Sequence, residues 1–82
     1  MPYISEEQRK KLIPKCESYP TSSGDLNFQI TCLVLEYIKY NGSSYKQMND
    51  VVGALESAKL EFYRRLVSPY EDKKIKDNGD VY

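Results

Sequence analysis

The sequence predicts a small all-α protein. Two long stretches repeat apolar residues at helical spacing, and serine-led starts and Asn-Gly stops bracket them. At 82 residues the chain is one domain at most. The expected architecture is three helices, at about 5–17, 25–40 and 44–68, followed by an ordered C-terminal hook over 69–82.

The first helix starts at Ser5. Ser5 and Gln8 have the spacing of a capping box, in which a hydroxyl and an amide each satisfy an orphan N–H. Glu6 and Glu7 fall at the positive end of the helix dipole, and Arg9, Lys10 and Lys11 follow toward the negative end. Leu12 and Ile13 give a small apolar face. Pro14 shortens or kinks the helix. "SYPTSSGD", residues 18–25, reads as a loop.

The second helix is the most apolar. Ser23 or Gly24-Asp25 caps it. Leu26, Ile30, Leu33 and Tyr37 mark one face, with Val34 and Ile38 beside them. Apolar residues also occur on its other sides. Asn41-Gly42 ends it, the glycine suiting a left-handed position. A β-branched run, "QITCLVLEYI", also suits a buried strand, but it is too long for a lone one.

The third helix is capped by Ser44 or Ser43. Met48, Val52, Leu55, Phe62 and Leu66 form a heptad-like stripe, widened by Val51 and Ala58. Lys59 falls on the stripe, its stem packed and its head at the rim. Gly53, Ala54, Ser57 and Ala58 make a belt of small residues, suited to close packing within the chain or between subunits. Pro69 is expected to stop the helix by pushing Ser68 out of helical geometry. Beyond it come a short turn and an Asn78-Gly79 bend. A chain this small cannot hide two wide apolar faces alone, so a homo-oligomer is expected.

Composition narrows the chemistry. Lysine plus arginine equals aspartate plus glutamate, 12 each, which gives no global field for nucleic acid or an anionic membrane. No apolar run spans a bilayer. Nothing at the N-terminus reads as a signal peptide, so the expected compartment is cytoplasmic and Cys16 and Cys32 are expected as thiols rather than a bridge. There is no histidine, which removes histidine general bases, Ser-His-Asp and Cys-His catalysis, the common zinc sets and Glu-x-x-His di-iron sites. No phosphate-binding glycine motif occurs. Neither an enzyme nor a cofactor is expected.

Eight tyrosines stand against two phenylalanines and no tryptophan. Tyrosine joins an apolar body to a polar tip and favours interfaces and flat ligands. Tyr37 and Tyr45 are expected as half-buried edges of the core. Tyr63 and Tyr70 lie beside Arg64, Arg65, Lys73 and Lys74, and rings interleaved with cations suit bases and phosphates. The same arginines have a structural account: Glu61 lies three and four residues before them, within reach of helical pairing. Asn27, in an apolar helix, suits a hydrogen bond to a loop or a ligand.

Three stretches carry a resemblance: "YISEEQR" (3–9), "GDLNFQIT" (24–31) and "ALESAKLEFYRRLVSPYEDKKIKDNGDVY" (54–82). They resemble a family of short proteins, a domain of unknown function, encoded by tailed bacteriophages, prophages and some bacteria. Its markers here are G-D-L-N, L-E-x-A-K-x-E-F-Y-R-R, P-Y-E-x-x-K and N-G-D-V-Y, and the resemblance covers nearly the whole chain. It implies a viral context, in which small proteins act as adaptors, regulators or inhibitors of host defence. By that analogy the leading expectation is a non-enzymatic oligomer that sequesters a small anionic ligand, a nucleotide messenger of anti-phage immunity. Arg64 and Arg65 would meet phosphate, Tyr63 and Tyr70 would stack, Lys73 or Lys74 would close the site, and Asn27 would read a polar edge. The alternatives are a protein-interaction module acting on a host factor and, third, a nucleic-acid-associated regulator.

Overall fold

A computed structural model describes residues 4–13 and 18–82. Cys16, its candidate bridge and the structure around Pro14 lie outside them. The described residues are helices and loops, without a strand. They divide into two units, Met1–Gly42 and Ser43–Tyr82.

In the first unit, α1 runs Glu6–Leu12. Its capping box forms as the spacing predicts: the Gln8 N–H donates to Ser5 Oγ at 3.2 Å and the Ser5 N–H to Gln8 Oε1 at 3.3 Å. It ends earlier than residue 17. Ile13 takes φ −58 and ψ 126, the extended geometry imposed on a residue before proline.

The second helix, α2, runs Ser23–Asn41. Its cap is Ser22, one residue before the nearest expected cap, Ser23, and Ser22 Oγ accepts from the Asp25 N–H at 3.0 Å. Asp25 is a clasp instead. Its Oδ2 accepts from the Thr21 N–H at 3.2 Å and the Thr21 hydroxyl at 3.1 Å. These bonds, the Thr21 N–H first, then the Thr21 and Ser22 hydroxyls, hold its carboxyl below the usual aspartate range. A lowered native value stabilises the fold above the ordinary aspartate pKa of about 3.9, and the contribution is lost as pH falls through the lower native value. Acidification below about pH 4 is therefore expected to loosen the start of α2. Amide protection factors of residues 24–26 that fall with acid in the unaltered chain, and are already low in Asp25→Asn, check this. At the far end, Gly42 takes φ 106 and its N–H bonds the Ile38 carbonyl at 2.9 Å, as Asn41-Gly42 predicts.

In the second unit, α3 runs Tyr45–Phe62 behind Ser44, whose N–H donates to Gln47 Oε1 at 3.2 Å. Pro69 does not stop the chain's helical course. Residues Tyr63–Val67 form a π turn and α4 continues from Ser68 to Asn78. Ser68 keeps φ −61 and ψ −45, and its N–H reaches five residues back to the Tyr63 carbonyl. Proline lacks an N–H, and in α register its ring presses on the carbonyl four residues earlier. Widening the turn before it relieves both problems and lets the helix resume. The expected hook thus shrinks to its last residues. Gly79, at φ 85, turns the chain after α4.

No described side chain is buried. The stripe of α2, and that of α3 as far as Phe62, exist as spaced, Leu66 falling in the π turn instead; they are exposed, Val34, Ile38 and Val51 being only partly covered. Tyr45, expected half-buried, is 77% exposed, whereas Tyr37 is 38% exposed.

Candidate functional site

The stretch from Glu61 to Tyr82 holds six of the seven residues that the sequence singles out. Glu61, with 29% of its side chain exposed, gathers both arginines: its Oε1 is 2.9 Å from Arg65 Nε and its Oε2 is 3.8 Å from Arg64 Nη1. This is the structural account of the pair, one turn along a helix, each contact worth about 0.3–0.5 kcal/mol. The arginines are not free cations. A phosphate would have to draw them from a carboxylate.

The π turn positions Tyr63. Tyr63 and Glu71 are eight residues apart, so an unbroken α-helix would set them about 80° apart around its axis. The wide turn takes up that offset. Hydrogen bonding to the Glu71 carboxylate, and then the negative charge of Glu71, raise the Tyr63 phenol above its usual value. Tyr70 directly precedes Glu71, about 100° round the helix, so the two rings serve different sides. Beside Tyr70 is Lys74, whose Nζ stands 5.6 Å from the ring centroid, a cation–π contact of about 0.5–1 kcal/mol at an exposed site. Lys73 is exposed on α4.

Asn27 belongs to the other unit. It is exposed in the second turn of α2, where its backbone carbonyl accepts from the Thr31 hydroxyl at 2.9 Å. Cys32 is exposed on the same helix.

One feature escapes the sequence reading. Past Gly79 the chain bends back, and the Tyr82 N–H donates to Asp80 Oδ1 at 2.9 Å. A shallow concavity of about 330 Å³ results, with Lys74, Ile75 and Glu71 on its α4 side and Val81 and Tyr82 on the other. The Asn78-Gly79 signal marks the bend, but nothing in the spacing tells which way the following residues turn. Glu71 and Asp80 among its walls make it a poor receptor for an anion.

Among the described residues no group of three or more Cys, Asp or Glu side chains is placed to hold a metal ion, and no helix is long and apolar enough to cross a membrane. The family model for a domain of unknown function, DUF6899, matches residues 1–81. No curated protein and no solved structure matches the chain.

Proposed function

Since the chain belongs to the DUF6899 family along nearly its whole length, whose function the family description leaves open, we propose a function from its own surfaces: a non-enzymatic α-helical module that binds a protein, as an adaptor or as an inhibitor of a host factor. The observation that carries this reading is the two-sidedness of α2. Leu26, Ile30, Leu33 and Tyr37 form one stripe; Phe28, Cys32 and Leu35, also spaced by four and three residues, form another on the roughly opposite side. Phe28 is 68% exposed and Leu35 61%. Neither stripe is buried, so α2 presents apolar side chains on two sides, and exposed apolar surface of this kind is the mark of an interaction surface. Tyrosines add rings with polar tips, a side-chain type that dominates binding energy at interfaces. The resemblance to phage-encoded proteins directs the search to a bacterial cytoplasmic factor.

Affinity capture from a bacterial host lysate checks the proposal. The unaltered chain is expected to retain a stoichiometric partner that a Phe28→Asp/Leu35→Asp chain loses. Recovery of no partner, or equal recovery by both chains, would overturn the reading.

A second reading is favoured by the Lys74–Tyr70 stack: sequestration of a nucleotide-like anion, such as an immune messenger. Tyr70 offers a face for a base, Lys73 and Lys74 offer charge, and Arg64 and Arg65 join only on leaving Glu61. Tyr63 and Asn27 would enter it only if a subunit contact brought their surfaces to Tyr70. Calorimetry with cyclic di- and trinucleotides and ADP-ribose derivatives checks it. Binding is expected to weaken about tenfold in Tyr70→Ala, since one stacked base is worth about 1–3 kcal/mol. Absence of heat with every member of the panel removes this reading and leaves the first standing.

A further inference from the structure

The apolar stripe of α3 contains one charge. Tyr45, Met48, Val52, Leu55 and Phe62 recur three and four residues apart, all exposed. In the same series, between Leu55 and Phe62, stands Lys59. Its Nζ lies 3.7 Å from Oε1 of Glu56, a residue at the edge of the stripe. In heptad terms Val52 and Lys59 are a positions, Met48, Leu55 and Phe62 are d positions, and Glu56 is the flanking e position.

We propose that this stripe is the contact between two copies of the chain, paired antiparallel about a point near Ser57, with each Lys59 beside the partner's Glu56. An apolar partner alone would leave the Lys59 ammonium with only its own Glu56, 3.7 Å away, in a drying seam, at a desolvation cost. A covering surface that brings a second carboxylate to the middle of an apolar stripe offsets that cost, and the chain itself carries that pattern. A parallel, in-register pair sets Lys59 against the partner's Lys59. Running the copies in opposite directions sets lysine beside glutamate twice, by symmetry. In this register Val52 meets the partner's Phe62, and Leu55 packs on the aliphatic stem of the partner's Lys59. A single lysine at an a position is a known device for selecting register at some expense of stability.

The fold sets the limits of the contact. The π turn at 63–67 steps off the seven-residue register, so the regular stripe ends at Phe62. The belt of small residues is not this contact, because Gly53, Ala54 and Ser57 lie on the side of α3 away from Leu55. A Cβ added to Gly53 would meet nothing within 4 Å.

Sedimentation equilibrium of the full chain tests it. The unaltered chain is expected to self-associate in pairs or in multiples of pairs. Lys59→Glu, which gathers four carboxylates at the seam, and Glu56→Lys, which gathers four ammonium groups, are each expected to weaken association about tenfold or more. Mixed in equal amounts, the two variants are expected to associate with each other, although the 56–59 pair within each chain still repels. Rescue in the mixture therefore reports the contact between chains. Phe28→Asp/Leu35→Asp is expected to leave association unchanged. A monomer at every concentration, or a mixture that associates no better than its components, would contradict the proposal. For orientation, spin labels at residue 46, in chains with both cysteines changed to serine, are expected at roughly 33 Å in the pair, from 1.5 Å of rise per residue. Labels about 10 Å apart would mean parallel helices and contradict it too.

Discussion

Leu55→Asp is expected to abolish most of the α-helical circular dichroism of the second unit at concentrations where the unaltered chain keeps it. Leu55 lies in the middle of the α3 stripe and, at 43%, is less exposed than Met48, Val52 or Phe62. A carboxylate there removes an apolar contact from the proposed seam and puts a charge into it that the neighbouring Lys59 only partly offsets, at a cost of about 3 kcal/mol. A domain of this size holds about 3–5 kcal/mol in all. Isolated helices of this length are marginal in water, so loss of the contact carries the helix with it. Ser57→Glu, on the opposite side, is expected to keep the spectrum within a few per cent. Equal loss in both variants would show that α3 is sensitive to charge as such and not through its stripe.

Pro69→Ala is expected to have the second large effect, in the stabilising direction. In a helix interior proline costs about 3 kcal/mol relative to alanine, and here the π turn absorbs part of that penalty. Alanine restores the N–H and removes the ring, so residues 63–67 are expected to return to α register. A higher unfolding temperature is the first readout. The second is specific to the π turn. With the wide turn gone, Glu71 rotates away from Tyr63 by about 80°, and the raised titration of Tyr63 is expected to return toward about 10. In the parent chain the raised value favours the neutral phenol: its contribution is present below about pH 10 and is lost as pH climbs through the native value. Spectrophotometric titration of the parent and Pro69→Ala chains, each compared with its Tyr63→Phe derivative, separates the two states. An unchanged Tyr63 titration in Pro69→Ala would mean that proline is not what holds the wide turn.

The helices were legible because their signals are local. Ser5 with Gln8, and Gly42 after Asn41, each mark a bond closed within one turn where the sequence places it, and Ser44 is one of the two caps the sequence offers for α3. Asp25 misled because aspartate suits both a cap and the first turn, and the choice depended on Thr21 three-dimensionally reaching back to it. Pro69 misled for a different reason. Proline disfavours α geometry before it, and the sequence carries no sign that five residues will widen the helix instead of ending it. The candidate site was legible as a set of residues but not as an arrangement. Spacing anticipated that Glu61 would hold Arg64 and Arg65. It did not anticipate Tyr63 beside Glu71, because that pairing depends on the π turn. The stripe of α3 was plain, yet spacing alone does not tell an internal core from an interface, and Tyr45 and the rest of the stripe remain exposed.

The chain's described residues include no buried side chain, and under the proposed pairing its long helices are expected to draw their stability from association. Thermal unfolding of the unaltered chain, followed by circular dichroism over a hundredfold range of concentration, tests this most directly. The account predicts a midpoint that climbs by several degrees across the range, as mass action requires of a fold completed by a second copy. A midpoint that stays put, with a cooperative transition at every dilution, would mean that one chain closes its own core, and it would contradict the account.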